Sequence, residues 1–155
     1  MFTTWLQGTA VAVWTRESPS IWAYPTVLML HTVGLGMLVG ANAVMDFRLL
    51  GFAPRLPIAS LAPLYRFMWT GLAINATTGA LLFASDAELK ARQPIFYVKL
   101  ALIVLALVVT AMIRRAVERG RAGGEVSPAP GRRLAVLSLL LWAGAIAAGR
   151  LMAYM

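Results

Sequence analysis

A single histidine, a few amide and hydroxyl side chains and two basic residues lie within stretches that are otherwise apolar. His31 falls in IWAYPTVLMLHTVGLGMLVGANAVM (residues 21–45), Asn75 and Thr78 in LYRFMWTGLAINATTGALLFAS (64–85), Lys99 shortly after Pro94, and Arg150 in the last apolar run. Ionisable groups inside a bilayer are costly to insert, face other helices or a cavity, and mark functional candidates. An imidazole in such a place has two main uses. As a neutral ring it can hydrogen-bond Asn75, Thr78 or Asn42 and hold two helices in register. As a metal ligand it can take an axial position on a haem iron, for which a helical bundle supplies an apolar pocket.

The elements that must position these groups are read from length and periodicity. At ~1.5 Å per residue, residues 21–45 reach roughly 37 Å, enough for a tilted crossing of a ~30 Å hydrocarbon layer, with His31 near its middle. Asn75 lies ten residues from Ser85, which puts it at the depth of His31. Asn42 follows His31 by very nearly three turns and shares its face with Leu35 and Leu38. Thr32, Gly36 and Gly40 form a separate smooth stripe where a neighbouring backbone can approach. The third span is residues 94–113 and the fourth 134–155, rich in Ala and Gly. Lys99 sits only ~7 Å inside the third, so its amine either snorkels to the interface or turns inward to meet an anion.

The connections read as follows. Residues 2–15 carry Phe2, Trp5, Leu6, Thr9 and Val13 at helical spacing, as in a helix lying in the interface. Ser18 or Ser20 can cap the first span. Residues 45–63, with Asp46, Arg48, Arg55 and three prolines, read as an interfacial connection in which Asp46 and Arg48 pair with each other or with the second span, or sit in a solvated turn. Ser85 and Glu88 have capping-box spacing ahead of a helical turn, DAELKAR. Residues 114–133, with six arginines and two glutamates among Gly, Ser and Pro, read as a flexible loop.

Composition sets the class. The 155 residues are 60% hydrophobic and 13% charged, with mean hydropathy +0.75, far from the roughly 25% charge of a soluble domain. The expected fold is all-α, a four-transmembrane-helix bundle with an N-terminal interfacial helix, in one integral membrane domain. With no cysteine, disulfides, thiolate metal sites, iron–sulfur clusters and covalent haem attachment are excluded. The net charge of +8 comes from arginines beside apolar spans, which points to lipid headgroups and orientation rather than nucleic acid. Arg48, Arg55, Arg66, Arg114, Arg115, Arg119, Arg121, Arg132 and Arg133 lie on one side, against Arg16, Lys90 and Arg92 on the other. The positive-inside rule then places both termini in the periplasm of a bacterial inner membrane.

The series HTVGLGMLVGANAVMDFRLLG, MWTGLAINATTGALLFASD, FYVKLALIVLAL and AAGRLMAY resembles an uncharacterised family of small bacterial integral membrane proteins across most of the chain. Its marks are the histidine before a Gly-rich run, the D-[FL]-R-L-L-G exit and the intramembrane lysine. The resemblance implies the fold rather than an activity. More distantly, a membrane histidine, a span with a Thr-Gly pair and an aromatic-x-x-Lys-Leu span resemble the CopD-type copper-resistance domain and the HemJ-type protoporphyrinogen oxidase. The latter group is associated with haem and with functional His and Lys residues, which here correspond to His31 and Lys99 only. The chain departs from both groups in being short and lacking other histidines.

Together these observations give an expectation of haem b at His31, serving membrane electron transfer, with Lys99 and Arg150 toward the propionates and Asn75 and Thr78 lining the site. His31 is also the candidate metal ligand. A bis-histidine site needs His31 from two protomers. Otherwise Met29, Met37 or Met68, the Lys99 amine or an open position completes the coordination. Two other readings are open. One is a structural or anchor subunit of a larger membrane complex or homo-oligomer. The other is a small transporter or metal-handling protein, using scattered methionines or a path through His31, Asn75, Asn42 and Asp46. No nucleophile–base pair and no phosphate loop is present.

Overall fold

The computed structural model describes residues 2–55, 58–121, 128–152 and 154. It is all-α. The elements are α1 (Phe2–Gln7), α2 (Ala10–Glu17), α3 (Tyr24–Leu50), α4 (Ala62–Ser85), α5 (Ala87–Arg92), α6 (Pro94–Arg121) and α7 (Pro128–Leu151), with a 3-10 turn at Ile58–Leu61. Four segments, Tyr24–Leu50, Pro63–Ser85, Pro94–Arg115 and Gly131–Leu151, are long and apolar enough to cross a membrane. The chain is an integral membrane protein of the four-helix class. It divides into two compact units, Met1–Gly40 with Arg66–Pro94, and Ala41–Tyr65 with Ile95–Met155.

In the first unit, α3 and α4 meet through His31, Gly34 and Leu38 on one helix and Gly71, Asn75, Thr78 and Gly79 on the other, and Val27, Met68 and Leu82 are buried at 3–4 spacing along the same faces. The approach is closest at two glycines. A Cβ on Gly34 would lie 2.8 Å from the Asn75 nitrogen, and one on Gly71 would lie 2.7 Å from the Leu38 nitrogen. Backbone therefore packs on backbone, as small residues permit between membrane helices. A Cβ on Gly36 or Gly40 would meet nothing within 4 Å beyond its own helix among the described residues, and the close approach to α4 is made by Gly34, one face away from the Thr32–Gly36–Gly40 stripe.

The N-terminal segment forms two helices rather than one. The break falls at Gly8 and Thr9, where a glycine costs helix propensity and Thr9 is extended (φ −67°, ψ 144°). Ser20 caps the entry to α3, its hydroxyl accepting the Trp22 N–H at 3.2 Å and its carbonyl the Ala23 N–H at 3.1 Å. The end of α4 carries two cations. Arg16 donates to the Ser85 carbonyl at 3.0 Å, and the Lys90 amine donates to the Leu82 carbonyl while lying 3.5 Å from Asp86. Burial pushes Lys90 below the ordinary lysine value, with Asp86 opposing. The capping box does not form. Ser85 is still part of α4 and its hydroxyl turns back to the Leu82 carbonyl, while Glu88 accepts a hydrogen bond from Thr4 at 2.7 Å.

In the second unit, α3 runs on to Leu50, five residues beyond the expected end at Met45. Its stop is a Schellman motif. Phe52 N–H bonds the Phe47 carbonyl at 3.0 Å and Gly51 N–H the Arg48 carbonyl at 3.2 Å. Gly51 takes φ +104°, a conformation only glycine adopts at little cost, and the Phe47 and Phe52 rings close the motif edge to face at 5.7 Å. Asp46 is therefore helical and 1% exposed. It does not pair with Arg48, whose guanidinium donates to the Pro54 carbonyl at 3.0 Å.

The expected flexible loop at 114–133 is largely helical. α6 continues to Arg121, supported by an Arg114–Glu118 pair one turn apart at 2.8 Å, and α7 begins at Pro128, where a proline starts a helix without losing a bond. Residues 122–127 lie outside the described set. The core of this unit comes from Ala106, Val109 and Ile113 on α6 and Ala135, Trp142, Ala145 and Ala148 on α7.

Candidate functional site

His31 projects from α3 at a half-buried position, seven residues from the Tyr24 start. Because α3 is longer than expected, its middle falls at Met37, and the histidine lies ~9 Å toward the N-terminal end. The ring meets α4. Its Nδ1 lies 3.0 Å from the Asn75 carbonyl oxygen and 3.1 Å from Thr78 Oγ1. The Asn75 amide donates to the His31 carbonyl at 2.9 Å and sits 3.4 Å from Nε2. Gly79 makes room for the imidazole: a Cβ there would lie 3.1 Å from His31 Cε1.

Counting hydrogens assigns the tautomer. Thr78 has one hydroxyl hydrogen, and its shortest contact, 2.6 Å, is to the Ile74 carbonyl. The Asn75 carbonyl can only accept. Nδ1 must therefore carry the proton, donating to that carbonyl, and in the neutral ring Nε2 keeps its lone pair. A histidine whose far ring N–H is fixed by a backbone carbonyl is the usual arrangement of a ligating imidazole. Asn75 and Thr78 are buried, at 8% and 6% exposure, and act on the histidine's orientation and tautomer through these bonds.

Lys99 and Arg150 belong to the second unit. The Lys99 chain runs against α7 at Gly149, where a Cβ would lie 3.4 Å from both its Cε and its Nζ, in ordinary contact. Arg150, next along α7, is exposed and stacks its guanidinium over the Tyr154 ring at 5.6 Å. The amine is thus brought against the residue preceding the guanidinium, at the start of α6 and the end of α7.

The second unit also holds a polar group that the periodicity argument passed over. Asn42 donates to Asp46 Oδ2 at 2.6 Å and to Ser138 Oγ at 2.8 Å, and its carbonyl oxygen accepts from Thr110 at 2.8 Å. Asn42, Asp46, Thr110 and Ser138 are all 4% exposed or less, so α3, α6 and α7 meet on one amide. Asn42 thus bonds α6 and α7 rather than His31. The sequence signal was available: Asn42 and Asp46 are one turn apart, and Thr110 and Ser138 are each the lone polar residue in an apolar run.

No three His, Asp or Glu side chains converge among the described residues, so a metal at His31 would draw on one imidazole and on ligands of other kinds. No family model matches the chain, and no curated protein or solved structure matches it.

Proposed function

We propose that this integral membrane protein binds a b-type haem or related tetrapyrrole at His31 and serves membrane electron transfer or redox chemistry. The observation that carries the reading is the imidazole geometry, with Nδ1 3.0 Å from the Asn75 carbonyl oxygen and the Asn75 amide 3.4 Å from Nε2, so that a metal at Nε2 would displace that long amide contact. When bound, haem supplies a one-electron couple that no side chain of this chain offers. The chain's own part is to orient the imidazole through Asn75 and Thr78, to leave space for it at Gly79, and to offer Lys99 and Arg150 to carboxylates such as propionates.

The test is an absorption spectrum of the purified protein, oxidised and reduced, beside His31→Ala. A Soret band that shifts on reduction and is lost in His31→Ala is expected. A preparation that stays colourless when haem is supplied overturns the haem reading, and a band that survives His31→Ala overturns the ligand. Unchanged haem retention and midpoint potential in both Lys99→Ala and Arg150→Ala would remove the propionate contacts.

A second reading has an observation of its own. The bonds between His31 and Asn75 are reciprocal, side chain to backbone in each direction, which is what a register lock between helices requires. An anchor subunit of a larger complex, without a cofactor, uses the same bonds for that purpose alone. For either reading we place the chain in a bacterial inner membrane with both termini periplasmic, on the charge asymmetry of its connections. Reporter fusions after Gly124 and at Met155 should read inside and outside respectively, and the opposite pattern would overturn the orientation.

A further inference from the structure

We propose that the Asp46 carboxyl is a buried proton-binding site, loaded as the neutral acid in the folded chain and held in place by Asn42 and Ser138. Asp46 is 1% exposed within the membrane-crossing part of α3, and no ion pair to it is found among the described residues. Its two oxygens differ. Oδ2 accepts from Asn42 at 2.6 Å, whereas Oδ1 is buried and meets no hydrogen-bond partner.

The side chains joined to the carboxyl by hydrogen bonds, Asn42 and through it Thr110 of α6 and Ser138 of α7, carry no charge, and the buried residues of α6 and α7 among those described are Ala106, Val109, Thr110, Ile113, Ala135, Ser138, Trp142, Ala145 and Ala148. On α3, Asn42 and Met45 flank the carboxyl, while Arg48 is turned to the Pro54 carbonyl. Arg132 of α7 reaches Gly51, past the end of the helix, and Arg114 of α6 is paired with Glu118. A carboxylate left without a counter-ion in such surroundings costs far more than a neutral acid with one unmet hydroxyl.

The ligand's chemistry follows from how many acceptors are unused. A metal cation of the Na⁺ or Mg²⁺ kind collects several oxygen ligands, commonly from more than one carboxylate, and no group of three His, Asp or Glu side chains gathers among the described residues. One unpartnered oxygen is what a proton needs. Trp142 Nε1, one turn along α7 from Ser138, also lacks a partner among the described residues, but it is a donor and cannot accept a proton. Loading forms one O–H bond on Oδ1 from an aqueous proton, and release returns the proton and restores the anion.

The experiment is infrared spectroscopy on the full chain in lipid vesicles, with aspartate carrying ¹³C at its side-chain carboxyl. Asp46 and Asp86 are the chain's only aspartates, so the isotope-shifted carbonyl stretch of a protonated acid has two possible sources, which Asp86→Asn separates. The expected result is such a band at neutral pH, kept in Asp86→Asn, absent in Asp46→Asn and lost as pH is raised. Ser138→Ala should shift its frequency without removing it, which keeps the assignment independent of whether Asp46→Asn folds. Absence of the band in the folded wild type, or its loss in Asp86→Asn, overturns the proposal. Loss of the band on adding Na⁺ at constant pH makes the site a metal-cation site and overturns it equally.

Discussion

Gly71→Ala is expected to destabilise the folded chain by about 3 kcal/mol, the upper end for forcing extra atoms into a packed interface. The new Cβ would lie 2.7 Å from the Leu38 nitrogen, 2.7 Å from Met37 Cβ and 2.8 Å from the Gly34 carbonyl oxygen. Backbone atoms are two of these three neighbours, and they cannot rotate away as a side chain can. The helices must separate, which also pulls Asn75 from His31. Gly34→Ala, with contacts of 2.8 and 2.9 Å to backbone, should behave alike. Gly36→Leu is the matched control, because a Cβ built there meets nothing within 4 Å beyond its own helix among the described residues, and the intrachain cost should stay within about 0.5 kcal/mol. Unfolding in mild detergent measures all three. The control has a second use: if Gly36→Leu lowers the apparent size of the particle, the Thr32–Gly36–Gly40 face packs against another chain, and an unchanged size leaves that face to lipid.

Asn42→Ala is expected to cost about 3–4 kcal/mol. One amide bonds a carboxyl and two hydroxyls on three helices, and its removal takes a donor from Asp46 Oδ2 and from Ser138 Oγ, each lost partner costing about 1–3 kcal/mol, while the Thr110 hydroxyl keeps the Ala106 carbonyl at 2.9 Å. A single interhelical hydrogen bond in a membrane averages only about 0.6 kcal/mol, so the size of the effect tests whether the three act together. The double variant Asn42→Ala/Asp46→Ala should recover part of the loss, since it takes the carboxyl away with its partner. A double variant that costs the sum of Asn42→Ala and Asp46→Ala would mean that Asp46 gains nothing from Asn42.

The helical class and the four long apolar segments were legible because hydropathy over some twenty residues needs no knowledge of packing. Boundaries were less so. Asp46 and Arg48 suggested water at the end of the first span, yet the stop signal was Gly51, and a charged residue one turn before a glycine C-cap can be turned inward by an asparagine one turn earlier. The glycines show the same limit. Gly36 and Gly40 have the familiar four-residue spacing, but Gly34 packs on α4, because a face is chosen by the partner helix and spacing alone does not identify it. For His31, counting residues from the helix ends brought Asn75 to the right depth. The tautomer needed coordinates, because it depends on where a single Thr78 hydrogen goes. Thr110 and Ser138 went unread because a lone hydroxyl in an apolar run gives no period to detect.

The two cations at the end of α4 bear on how the chain enters its membrane. Arg16, Lys90 and Arg92 are the basic residues on the less basic side, and Arg16 and Lys90 donate to the Ser85 and Leu82 carbonyls, where the partial negative charge of a helix C-terminus gathers. Those bonds hold the Arg16 and Lys90 charges against the end of α4 once the corner has folded. Folding of this corner works as a latch on the orientation that insertion has chosen, since reversing it would first require breaking both caps.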